Sequence, residues 1–179
     1  MGQAPGAADT CGKRRPLVGV WEQALDIHAL AQAVHTLNAE DALQLELPPG
    51  QWQVLQQYLV RHEIRAGDLL IRQGDRERTM YLLESGNLQV FVSQGTPGTH
   101  RLAILRPGSV AGEVGLFGDQ PRMANVEAMT HCVVWALRKP RFEELAARVP
   151  TLALELVRAC AATLAARVRA NMERHAALA

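Results

Sequence analysis

The sequence is poor in the features that mark several protein classes. Only three of its 179 residues are cysteine. Cys11, Cys132 and Cys160 are odd in number and widely spaced. That pattern fits neither a disulfide framework nor a zinc site, and it makes a reducing cytoplasm the expected compartment. No apolar run approaches the roughly 18 residues of a membrane span, so no membrane is expected as a partner. Neither sign of charge dominates, with 19 Lys and Arg against 18 Asp and Glu. Such a balance gives no general attraction for nucleic acid or an anionic surface. The first twenty residues carry Asp9, Cys11 and Lys13-Arg14-Arg15 but lack the apolar core of a signal peptide. Gly2 is not followed by the Ser or Thr of a myristoylation motif. The six histidines are scattered without ligand-like spacing. There is no Gly-x-Ser-x-Gly, no phosphate loop and no kinase signature. No catalytic residue, cofactor or metal is therefore nominated, and the chain reads as a non-enzyme.

What is present is an ordinary globular composition. Apolar residues make up 48% of the chain, enough for a core. Residues 1–20 read as a loose tail. From Trp21 to about Leu37 the apolar positions follow helical spacing. Asn38 and Asp41 mark a break, and a short helical segment is expected to run to Leu47. Pro48-Pro49-Gly50 opens a further helix, expected over Gln51 to Val60. The period then changes. Ile64, Leu69–Ile71, Met80–Leu83, Leu88–Val92, Leu102–Leu105 and Cys132–Leu137 are short β-prone runs. Turn signals such as Gly74-Asp75, Ser85-Gly86-Asn87 and Pro107-Gly108 separate them. That rhythm predicts a small sandwich or barrel. Pro140 then starts a short helix to about Val149, and Pro150 opens a long one to about Arg174. Its stripe Val157, Cys160, Leu164, Val168 and Met172 is amphipathic.

One segment carries the chemistry, running Gly112-Glu113-Val114-Gly115-Leu116-Phe117-Gly118-Asp119-Gln120-Pro121-Arg122-Met123-Ala124. A short helix beginning near Gly112 would aim free backbone N–H groups and its positive end at an anion. Gly112 and Gly115 leave room for close approach. Arg122 can close on phosphate oxygens through its planar fork. Glu113 would repel a phosphate, but it can accept a hydrogen bond from a ribose 2′-hydroxyl, with Arg122 balancing its charge. The bland alternative is a Gly-rich turn with a surface ion pair, worth little.

These residues resemble the phosphate-binding cassette of the cyclic nucleotide-binding domain family, the type found in the catabolite activator and in protein kinase A regulatory subunits. The Glu113 to Arg122 spacing is similar to the eukaryotic members, and the run from Gly112 to Phe117 to the bacterial activator. Gly67, Gly74-Asp75, Tyr81 and Gly86 also fall where that family has turn glycines and an aromatic. The resemblance covers roughly Gln51 to Asn171. It implies an α+β, mainly β fold, a double-stranded β-helix or jelly-roll-like β-roll with flanking helices. The implied division is a tail at 1–20, helices at 21–60, the β-roll at 61–140 with its cassette at 111–126, and lid or dimerisation helices at 141–179.

The resemblance also implies a ligand-binding set. Gly112, Glu113, Val114, Gly115, Leu116, Arg122, Met123 and Ala124 come from the cassette. Val90 and Leu102 would wall the base and ribose, and Leu164 and Arg167 would close from the long helix. Met123 departs from the family. It has no hydroxyl for phosphate or guanine, which disfavours cGMP. Arg167 and Val168 stand where the bacterial activator reads adenine with a Thr-Ser pair. Arg167 could stack on a purine or meet a second phosphate, which brings cyclic di-GMP into view.

The leading expectation is a cyclic nucleotide sensor, cAMP first, signalling through rearrangement of the C-terminal helices to an unknown downstream protein. A homodimer through the long helix is expected. DNA binding by this chain is not, because no helix-turn-helix follows. Two other readings stand beside it. One is a degenerate domain kept for dimerisation or scaffolding, and the other is a small cupin-like enzyme that has lost its metal ligands.

Overall fold

The structure is a computed structural model that describes residues 26–39, 42–93, 99–118 and 120–176. Two helices lead, α1 (His28–Thr36) and α2 (Pro49–Gln56). Five strands follow: β1 (Val60–Ile64), β2 (Leu69–Ile71), β3 (Thr79–Ser85), β4 (Leu88–Ser93) and β5 (Thr99–Leu105). The short strand β6 (Val110–Ala111) runs directly into a five-residue helix, α3 (Glu113–Phe117). Strands β7 (Asn125–Ala128) and β8 (Cys132–Arg138) complete the sheets. The helices α4 (Lys139–Arg148) and α5 (Pro150–Ala176) close the described chain.

The strands form two antiparallel four-stranded sheets, ordered β1-β8-β3-β6 and β2-β7-β4-β5. The central strands of the first sheet are buried on both faces, and their alternation shows why. Met80 and Leu82 of β3, with Trp135 and Leu137 of β8, join the helix-side core. Tyr81 and Leu83, with Cys132, Val134 and Ala136, join the core between the sheets. Successive side chains on a strand point to opposite faces, so these two strands feed both cores at once. The helix-side core also takes Leu30 of α1, Trp52 and Leu55 of α2, Leu145 of α4 and Leu152 and Leu156 of α5. This is the expected mainly β roll flanked by helices.

Some boundaries differ from expectation. The first described helix starts at His28, with Asp26 and Ile27 outside it; the expected start at Trp21 lies outside the described residues, as does the tail at 1–20. Residues 42–48 carry no helix. Ala42, Leu43 and Leu45 are instead buried in irregular chain, with Leu43 and Leu45 in the helix-side core. Helix α2 stops at Gln56, and Val60 begins β1, paired with Ala136 of β8. The burial of Tyr58 and Leu59 extends the apolar pattern past the helix end and hides the boundary.

Candidate functional site

The site forms where β6 turns into α3. Gly112 caps that helix with φ +81°, and a Cβ there would stand 2.7 Å from the Thr79 carbonyl oxygen. Only glycine takes this left-handed geometry at little cost in so small a space. Ten residues later the chain returns, and Arg122 lays its guanidinium back across the start of α3. Its Nη1 donates to the Gly112 carbonyl at 2.9 Å and its Nη2 to the Thr79 carbonyl at 2.5 Å. A Cβ at Gly115 would overlap this guanidinium, so glycine there makes the seat for Arg122. The backbone beneath is fixed as well. Arg122 N–H donates to the Asp75 carbonyl at 2.8 Å, and Gly74 N–H donates to the Arg122 carbonyl at 2.9 Å.

Arg122 is therefore an interior residue, 6% exposed. Burial pulls its pKa down, opposed by Tyr81, Glu77, Glu113 and Asp75. Two of its five N–H donors serve protein carbonyls, and the cation lies over the N-terminal turn of α3, where the helix dipole is also positive. Concentrated positive potential with N–H groups at hand is what a phosphate diester requires.

Glu113 also takes a partner that the sequence did not supply. It is 4% exposed, and Arg167 of α5 holds it with an Nη1–Oε1 distance of 2.8 Å. The other fork nitrogen of Arg167 donates to the Val110 carbonyl at 2.9 Å. The expected direct balance of Glu113 by Arg122 is thus replaced by a contact spanning 54 residues. Arg122 acts on Glu113 only through the longer-range field. Arg167 ties α5 to both ends of the β6–α3 turn. Just before it, the Thr163 hydroxyl donates to the Ala42 carbonyl at 3.2 Å. Beside it lies Cys160, whose thiol burial pushes up to about 12, with Glu113 raising it further and Arg167 opposing. At the far end of α3, Phe117 meets Phe142 of α4 edge to face, with ring centroids 5.2 Å apart.

The remaining expected positions divide. Gly115 is buried under Arg122, while Val114 and Ala124 are half-buried beside it. Leu116 sends its side chain into the helix-side core, away from the turn. Leu164 is half-buried one turn before the Arg167 contact region. Val90 packs against the core between the sheets. Leu102 lies on β5 and is 47% exposed, and Met123 is 70% exposed. The backbone carbonyls of Thr79, Val110 and Gly112 complete the site, and no side-chain motif could have revealed them. Among the described residues, no group of three His, Cys, Asp or Glu side chains could hold a metal ion, and no helix is long and apolar enough to cross a membrane.

Comparison with known proteins gives a family for part of the chain and neighbours for its fold. Residues 61–149 match the family model described as "Cyclic nucleotide-binding domain". A cAMP-dependent protein kinase regulatory subunit from Blastocladiella emersonii is 32% identical over 87 residues, covering 49% of this chain and 22% of that protein. The acetyltransferase Pat of Mycolicibacterium smegmatis is 36% identical over 102 residues, covering 56% of this chain and 29% of that protein. The match thus spans well under two thirds of either relative. Among solved structures, the Thermus thermophilus catabolite activator protein superposes with a TM-score of 0.67 at 27% identity, over 76% of this chain and 62% of that one. A cyclic nucleotide-binding domain from Methylobacillus flagellatus gives 0.72 at 19% identity, over 83% and 81%, and shares the fold.

Proposed function

Because residues 61–149 belong to the cyclic nucleotide-binding domain family, a family of regulatory ligand-binding units, we propose that this chain binds one cyclic nucleotide between α3 and α5 and reports it by moving α5. The observation that carries this reading is the Glu113–Arg167 pair, 2.8 Å long, which joins the cassette to the long helix. A ribose hydroxyl that takes Glu113 competes with Arg167 for the same oxygen. Ligand and helix contact are then linked, and binding shifts α5 only as far as the two states differ in affinity.

The phosphate goes to Arg122 and the amides of α3. cAMP is the first candidate. Several relatives are cAMP-dependent protein kinase regulatory subunits, and Met123 brings no hydroxyl for guanine. A role in binding accounts for Glu113 and Arg122 without a nucleophile or metal, so the chain is assigned no catalysis. The exposed Leu154, Val168 and Met172 on α5 offer an apolar stripe for a second copy. The downstream protein would read the position of that helix.

A second reading is favoured by one observation. Glu113 and Arg122 are both already satisfied within the protein, which also describes a degenerate cassette kept as a dimerisation or scaffold module. Calorimetric titration of nucleotide-free protein with cAMP, cGMP and cyclic di-GMP decides between them. The sensor reading expects a Kd near micromolar, about −8 kcal/mol, for cAMP. Absence of heat with all three gives the scaffold reading.

A further inference from the structure

Next to the cassette, and sharing Thr79 with it, lies an open groove of about 660 Å³. The loop before β3 supplies Arg76, Glu77 and Arg78 to it, and the start of α4 supplies Arg138, Lys139 and Glu143. Four cations thus face two carboxylates in a chain whose overall charge is only +1. Both carboxylates have local work. Glu77 accepts the Thr79 hydroxyl at 2.9 Å, and Glu143 lies 3.9 Å from Lys139. The two walls are tied by the Lys139 N–H, which donates to the Arg78 carbonyl at 2.9 Å. The cations are therefore held on a fixed frame from two elements.

Their placement also runs against helix electrostatics. Helix α4 has no acidic residue in its first turn and no side-chain cap, and Arg138 and Lys139 stand at its positive end. Cations there repel the dipole, and carboxylates of a partner would offset that repulsion.

We infer that this groove docks an acidic peptide segment of a protein partner, with spaced carboxylates meeting Arg76 on one wall and Arg138 and Lys139 on the other. A peptide fits better than nucleic acid for two reasons. Glu77 and Glu143 interrupt the cations and would meet the unbroken charge of a phosphodiester backbone, whereas a peptide can place neutral residues opposite them. The near-neutral chain also lacks the broad positive field that draws nucleic acid.

The test is fluorescence anisotropy of a labelled oligoglutamate peptide with the full chain and no added nucleotide, so the result does not depend on what the cassette binds. Arg76→Glu and Arg138→Glu, one from each wall, should each weaken binding at least about tenfold at low salt. Arg158→Glu, on an exposed face of α5 outside the groove, should leave it within about twofold. Circular dichroism checks folding, and Arg76→Gln and Arg138→Gln replace any reversal that fails to fold. The inference is overturned if the peptide does not bind, or if the wall variants bind it like the parent. It is also overturned if a single-stranded oligodeoxythymidylate of equal charge binds the groove more tightly than the peptide.

Discussion

The two halves of α5 are built differently. In the first half Leu152, Ala153, Leu156, Ala159 and Cys160 pack in the helix-side core, and they and Thr163 are all under 5% exposed. In the second half Val168 and Met172 are 58% and 67% exposed. The helix pattern continues unbroken, so the difference lies in what covers it. The first half is an ordinary wall of the domain. The second projects beyond that wall, and Arg167 fastens it to the cassette. A helix packed into the core at one end and held by a polar contact at the other can transmit a local change, because moving the less buried half costs little apolar burial.

Mutations should separate the halves sharply. Leu156→Ala empties a fully buried position and should lower stability by about 3 kcal/mol, measured by urea unfolding. A loss as small as that of a surface change would mean the first half is not anchored as described.

Arg122→Ala comes next. The sequence expectation places Arg122 against a phosphate, as a ligand-facing side chain. Its burial and its two carbonyl partners also call for about 2 kcal/mol of lost stability beside the loss of nucleotide binding. Arg122→Lys keeps the charge but loses the fork, so it should recover part of the stability and less of the affinity. An Arg122→Ala protein as stable as the parent would show that these carbonyl contacts add nothing.

Arg167→Ala tests the junction itself. It leaves Glu113 buried without its partner and should cost about 1–2 kcal/mol, less than a fully buried pair because Arg167 is a quarter exposed. In the sensor reading the same change frees Glu113 for the ligand, so hydrogen exchange of residues 164–176 should quicken even without nucleotide. Unchanged exchange would detach the Glu113–Arg167 contact from the motion of α5.

How far these features could be read in advance depended on the range of the contact. The strand rhythm and the Gly-Glu to Pro-Arg segment are local and legible, and they lead to the two sheets and to the turn that seats Arg122. A short helix is expected up to Leu47, but residues 42–48 are irregular chain whose Leu43 and Leu45 are buried in the helix-side core, a long-range packing that local sequence does not show. Strand β6 has two residues and β7 four, too short for a period to register. Arg167 was legible as a residue near the site, yet its partner was not. Nothing in linear spacing shows that the fifth turn of α5 crosses Glu113, since that depends on how the first half packs.

A smaller effect belongs to the anchored half. The folded Cys160 thiol has its pKa pushed from 9.0 up to about 12 by burial, and burial also raises Tyr81. A raised folded pKa means that stability is full below the unfolded value and is lost as pH rises toward the folded one. Unfolding free energy should therefore stay level with respect to these groups below pH 9 and decline above it. Cys160→Ala should flatten that alkaline limb by about 1 kcal/mol near pH 10. An alkaline limb identical to the parent would show that the thiol is more open to water than its packing implies.

Val168→Ala should do least to the monomer, within about 0.5 kcal/mol, because a side chain 58% exposed has little burial to lose. That makes it the most discriminating variant for assembly. If a second copy covers the stripe of Val168 and Met172, the same change acts through the interface, and its cost grows with protein concentration. Sedimentation velocity at several concentrations separates the cases. A parent dimer that Val168→Glu converts to monomer, with each chain still folded, makes the projecting half of α5 a dimerisation element. A parent that is monomeric throughout leaves the exposed half of α5 to the downstream protein, and the contrast between the halves is then one of core against signal-bearing surface.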